Sequence, residues 1–129
     1  MAMIVTICWC LLALLHLAPA AVLVMPGLVT SLYGIAPDGD IGVLVIHRGA
    51  LFLGVLSACL WAAFDARVRS MAVVITAVSM LGFLLVYARA GMPPGSLRGI
   101  AIADAIGLIP LALVGFAALR SSAMMASAE

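Results

Sequence analysis

The chain has little charge of either sign. Charged residues make up 9% of its 129 positions, and lysine is missing, so all 6 basic residues are arginine. Soluble domains carry roughly 25% charged and about 45–50% apolar residues. At 67% hydrophobic residues, this chain could not cover a water-facing surface. The lipid bilayer is the solvent that suits it. A net charge of +1 leaves no basic footprint, which excludes nucleic acid as a partner.

Cysteine is equally sparse. Cys8, Cys10 and Cys59 are an odd number. Cys8 and Cys10 flank Trp9 and stand about 200° apart around a helix axis. They form no C-x-x-C redox pair, and their spacing fits no zinc site. They read as small apolar residues, and no metal is expected. No nucleophile–base pair is visible either, so the chain reads as a binding or accessory subunit rather than an enzyme on its own.

What the chain has is long apolar runs, at about 3–25, 41–64, 71–90 and 97–119. Each holds roughly 20–24 residues, enough to cross a ~30 Å hydrocarbon core at ~1.5 Å per residue. The first run contains Ala18-Pro19-Ala20, which imitates a signal-peptide cleavage site. No Lys or Arg precedes it, and the apolar stretch continues to Met25. It is expected to be a retained first span.

The joints carry turn chemistry. Pro26-Gly27 breaks the first run. Ser31 to Gly34 and Pro37 to Asp40 form the longest loop. Asp65 to Ser70 is a tight polar turn, and Gly91 to Ser96, with Pro93-Pro94, cannot be helical. The expected fold is all-α: an integral membrane four-helix bundle, up-down-up-down, with 1–129 as a single membrane domain.

Four spans put both termini on one side, with Arg67, Arg69 and Arg120. The other side holds Asp38, Asp40, Arg89 and Arg98. The arginine bias places both termini in the cytoplasm and the long loop outside a bacterial inner membrane.

Arg48 and Asp104 interrupt two of the spans. Each lies about seven residues in from the outer end, near ~10 Å depth. A charge in lipid costs a few kcal/mol on insertion scales, so a meeting between the two inside the bundle is expected. Gly99, Ala103 and Gly107 form a small-residue stripe beside Asp104, which turns that face inward. On the second span the matching face is expected at His47, Leu51, Gly54, Ala58 and Trp61. His47 precedes Arg48, and His16 is expected deeper, near ~14 Å. The third span adds Thr76, Phe83 and Tyr87. Tyr33 lies in the long loop and reads as an interfacial belt residue.

These polar groups fall in the outer half of the membrane, which suggests a pocket opening outward. Arg48, Asp104, His47, His16 and Tyr87 form the candidate ligand set. Such groups suit a quinone, whose carbonyl oxygens need donors in an apolar slot, or a lipid headgroup. A bis-imidazole haem between His16 and His47 is a weaker reading, because their depths differ. In the alternative, Arg48 and Asp104 are a staple that pairs two helices in a purely structural partner subunit. Membrane lipid, other membrane subunits or self-association are the expected partners.

The pattern resembles the DoxX-like superfamily of small four-helix bacterial membrane proteins. The resemblance rests on Ser31-Leu32-Tyr33-Gly34, His47-Arg48-Gly49-Ala50-Leu51-Phe52, Ala62-Ala63-Phe64-Asp65 and Ala103-Asp104. It implies a four-helix bundle with Arg48 and Asp104 as buried polar positions. Some such proteins are membrane subunits linked to quinone oxidoreduction.

Overall fold

The computed structural model describes residues 2–126, with side chains through Arg120. Helix α1 runs Ala2–Ala21, the short α2 Leu28–Tyr33, α3 Gly39–Phe64, α4 Arg69–Arg89 and α5 Ser96–Ala126. A 3-10 turn, Ala66–Val68, joins α3 to α4. No strand occurs among the described residues. Four helices are long and apolar enough to cross a membrane. The protein is an all-α, small multi-pass membrane protein.

The long helices alternate in direction. Thr6 near the start of α1 donates a hydrogen bond to the Ala63 carbonyl near the end of α3, at 3.2 Å. Cys59 late in α3 meets Thr76 early in α4, Sγ to Oγ1 3.3 Å. Helix α1 packs on α3 and α5, and α4 closes the square against the same two. The α1–α3 contact is the most extensive of the four and α3–α4 the least. Trp9, Leu12, Cys59, Met80 and Val114 fill the core toward the end that carries the termini.

Helix α1 stops earlier than hydropathy alone suggests. Residues 22–25 form turns, with Leu23 and Val24 donating to the Ala20 and Ala21 carbonyls. Pro26 accounts for this, because a helical proline clashes with the carbonyl four residues back and disfavours helix at the residue before it. The expected loop around Ser31 to Gly34 is also corrected. It is the end of α2, closed by Gly34 in the left-handed conformation (φ 70°) with its N–H on the Thr30 carbonyl.

The inward face of α3 differs from expectation as well. Leu51 and Trp61 are exposed, while Gly49, Val55, Cys59 and Ala62 are buried. Gly49 marks the closest approach. A Cβ there would stand 2.9 Å from the Leu23 nitrogen and 3.3 Å from the Pro19 carbonyl oxygen.

The α3–α4 turn is held by charge. Asp65 accepts from the Arg67 backbone N–H at 2.9 Å and from its guanidinium at 2.9 Å. Arg69 Nε donates to the Ala62 carbonyl at 3.0 Å, satisfying an orphan carbonyl at the end of α3. The Arg67 hydrogen bonds hold the Asp65 carboxyl down to about 2. A depressed folded-state value stabilises the turn above the ordinary aspartate range and is lost as pH falls from there through about 2. Amide protection at 65–69, taken relative to the intrinsic exchange rate at each pH, should therefore fall as pH drops below about 4, and Asp65→Asn should remove that pH dependence. A turn equally protected at pH 2 and pH 6 would contradict this assignment.

Candidate functional site

Toward the end opposite the termini, the bundle opens into a cavity of about 210 Å³. All four long helices and α2 contribute to it. Leu15, His16, Ala18 and Pro19 come from α1, Leu32 and Tyr33 from α2, and Arg48 and Phe52 from α3. Phe83 comes from α4, and Gly99, Ile100, Ala103 and Asp104 from α5.

Helical periodicity places the polar groups. On α1 the buried positions are Cys8, Trp9, Leu12, Ala13, His16 and Ala20. His16 thus continues the core stripe upward by one turn. On α5, Ala101, Asp104, Gly107, Leu111, Val114 and Ala118 follow the same three-to-four spacing. Gly107 is filled in, since a Cβ there would meet the ends of the Met80 and Leu15 side chains. Gly99 and Ala103 instead line open space, so the small-residue stripe both packs the helices and hollows the site.

His16 is 1% exposed. Its Nδ1 lies 2.8 Å from the Leu12 carbonyl. A carbonyl only accepts, so Nδ1 carries the proton, and in the neutral imidazole Nε2 holds the lone pair. Nε2 has no protein partner among the described residues. It is not sealed off either, unlike Trp9 Nε1, which is buried and unpaired. Asp104 is 7% exposed, and its carboxyl likewise has no hydrogen-bond or ion-pair partner among the described residues. Both groups therefore face the cavity.

The expected contact between Arg48 and Asp104 is not made. They share the cavity wall, yet the ion pair among the described residues is Arg67–Asp65. The Arg48 guanidinium lies over two aromatic faces, 5.2 Å from the Phe52 centroid and 5.8 Å from that of Phe83. Rings offer a cation a negative face, which partly replaces water. Arg48 also lines two shallow hollows along the α3–α4 seam. A helix-pairing staple would need the two side chains in contact.

Tyr33 is half-buried above the cavity. Burial pushes its phenol above the ordinary value, with Arg48 pulling it down and Asp104 pushing it up. The fields of both charged groups reach the ring, which keeps its proton at neutral pH.

Two candidates lie elsewhere. His47 is exposed and lines none of these hollows. With His16 in the cavity wall, the two imidazoles are not paired across a haem-sized gap. Tyr87 donates to the Pro93 carbonyl at 2.9 Å and stacks on Phe83, outside the cavity. Thr76 is fully buried against Cys59. Among the described residues, no cluster of His, Cys, Asp or Glu could hold a metal ion.

Tyr33, Phe52 and Phe83 complete the site. Phe52 was signalled by its place one turn after Arg48, and Tyr33 by lying over the same end of the bundle. Comparison with protein-family models, curated proteins and solved structures found no match to this chain.

Proposed function

We propose that this small membrane protein binds the ring-shaped polar head of a lipid-soluble ligand, of which an isoprenoid quinone or its quinol is the type. The carrying observation is the pair of unpartnered, nine-tenths-buried groups, His16 Nε2 and Asp104, facing an apolar cavity. An unpaired buried polar group costs about 1–3 kcal/mol. A ligand that hydrogen-bonds both removes that cost.

Size supports a single ring. An engineered cavity of about 150 Å³ takes benzene, and drug-sized ligands need about 300–1,000 Å³. A cavity of about 210 Å³ suits one substituted ring, with any chain left outside. The walls are Leu15, Pro19, Phe52, Phe83 and Ile100. In this reading the chain is a DoxX-like accessory subunit of a bacterial inner membrane, with both termini cytoplasmic and the cavity in the outer half.

Native mass spectrometry after purification in mild detergent tests it. One quinone-type mass per chain is expected, lost in Asp104→Leu. Phospholipid as the sole bound mass would shift the assignment to a headgroup site. A chain free of any bound molecule would overturn both.

A further inference from the structure

We propose that the cavity selects a hydroxylated ring, a hydroquinone or phenol, over the corresponding carbonyl form. This rests on the ring-ligand reading above and names which state of the ring is held.

The inner wall is made of acceptors. His16 Nδ1 donates to the Leu12 carbonyl at 2.8 Å, so in the neutral imidazole Nε2 can only accept. Presenting Nε2–H instead would strip the Nδ1 proton and set a lone pair against the Leu12 oxygen at that distance. Two acceptors would then face each other inside the bundle, with no water to separate them. The tautomer is thus fixed by the helix.

Asp104 keeps an acceptor oxygen in either protonation state. Pro19 lies inside α1 and has no N–H, so the Leu15 carbonyl lacks its helical donor four residues on. Leu15 and Pro19 both line the cavity. The donors, the Arg48 guanidinium and the Tyr33 hydroxyl, come from an exposed residue and a half-buried one.

A ligand matching this order leads with an O–H and trails an oxygen toward Arg48 and Tyr33. A hydroquinone does so: one hydroxyl donates to His16 or Asp104, and the other accepts from the rim. A quinone has only carbonyl oxygens. Entering head first, it would set an acceptor against His16 Nε2 and leave both unpaired. Sites built to hydrogen-bond a hydroxyl reject analogues lacking it, because their own buried groups go unpaired.

The test uses three probes on the intact protein in mild detergent under anaerobic conditions. They are trimethylhydroquinone, its oxidised form trimethylbenzoquinone, and its dimethyl ether. Isothermal titration should show the hydroquinone binding at least about tenfold tighter than either of the others. His16→Phe keeps a flat ring in place and should reduce the preference to about twofold or less. The wild-type comparison stands alone if that variant fails to fold.

Equal affinity for the three probes, or a preference for the quinone, would overturn the selection and leave the ring site standing. Binding of none of the three would overturn the ring site and the selection together.

Discussion

Replacing Gly49 with leucine should abolish the folded bundle, and Gly49→Ala should cost about 1–3 kcal/mol in mild-detergent unfolding. The reason is what the new atom meets. A Cβ at Gly49 stands 2.9 Å from the Leu23 nitrogen and 3.3 Å from the Pro19 oxygen. Both are backbone atoms, so relief requires moving α1 relative to α3. That interface is the most extensive in the protein. In lipid, helices associate through close packing rather than through expulsion of water, so lost contact has no substitute.

Gly107 makes the control. A Cβ there would stand 2.6 Å from Met80 Cε and 2.8 Å from Leu15 Cδ1. Those are ends of flexible side chains and can turn away. Alanine also gains about 1 kcal/mol over glycine in helix propensity. Gly107→Ala should therefore be close to neutral. Equal losses at the two glycines would contradict the geometry at Gly49.

Asp104→Leu should raise bundle stability by about 1–3 kcal/mol while weakening ligand binding by about 10–100-fold. The acid is 7% exposed and has no partner among the described residues. An apolar side chain of similar size removes the cost of burying it. The same gain is expected in an Arg48→Met background, because the two side chains are not in contact. A stability loss in Asp104→Leu that Arg48→Met reverses would restore the staple. Ligand affinity unchanged in Asp104→Leu would remove the acid from the site.

Much of the architecture was legible because it depends on length and punctuation. The runs near 41–64 and 71–90 end where Pro, Gly and polar residues end them, whereas α5 continues past Arg120 to Ala126. Which face of each helix points inward was much harder to read. Bilayer tails are as apolar as leucine, so Leu51 and Trp61 sit comfortably toward lipid and the usual amphipathic signal is weak. Small residues mark the interface only in part: on α3 Gly49 is buried against α1, while Gly54, expected on the inward face, is exposed.

His47 and Arg48 show the same limit. Neighbours on a helix stand about 100° apart, and here Arg48 lines the cavity while His47 does not. Composition offered no means to choose between them. His16 was legible as a polar residue on a core stripe, and it is more deeply buried than Arg48. Tyr33 was missed as a site residue because its segment read as loop. Once Gly34 is seen as a left-handed helix cap, α2 becomes a short helix with Tyr33 at its last position, over the cavity.

The arginine at the α3–α4 seam bears on how occupancy should be counted. Arg48 lines the cavity and both shallow hollows on the bundle's flank, along the least extensive of the four helix contacts. A ligand using that side door diffuses in two dimensions and never crosses water. Its effective concentration is then a mole fraction in the membrane, not a molarity in the buffer. At fixed total ligand below saturation, doubling the lipid should roughly halve the bound fraction, whereas doubling the aqueous volume should leave it unchanged.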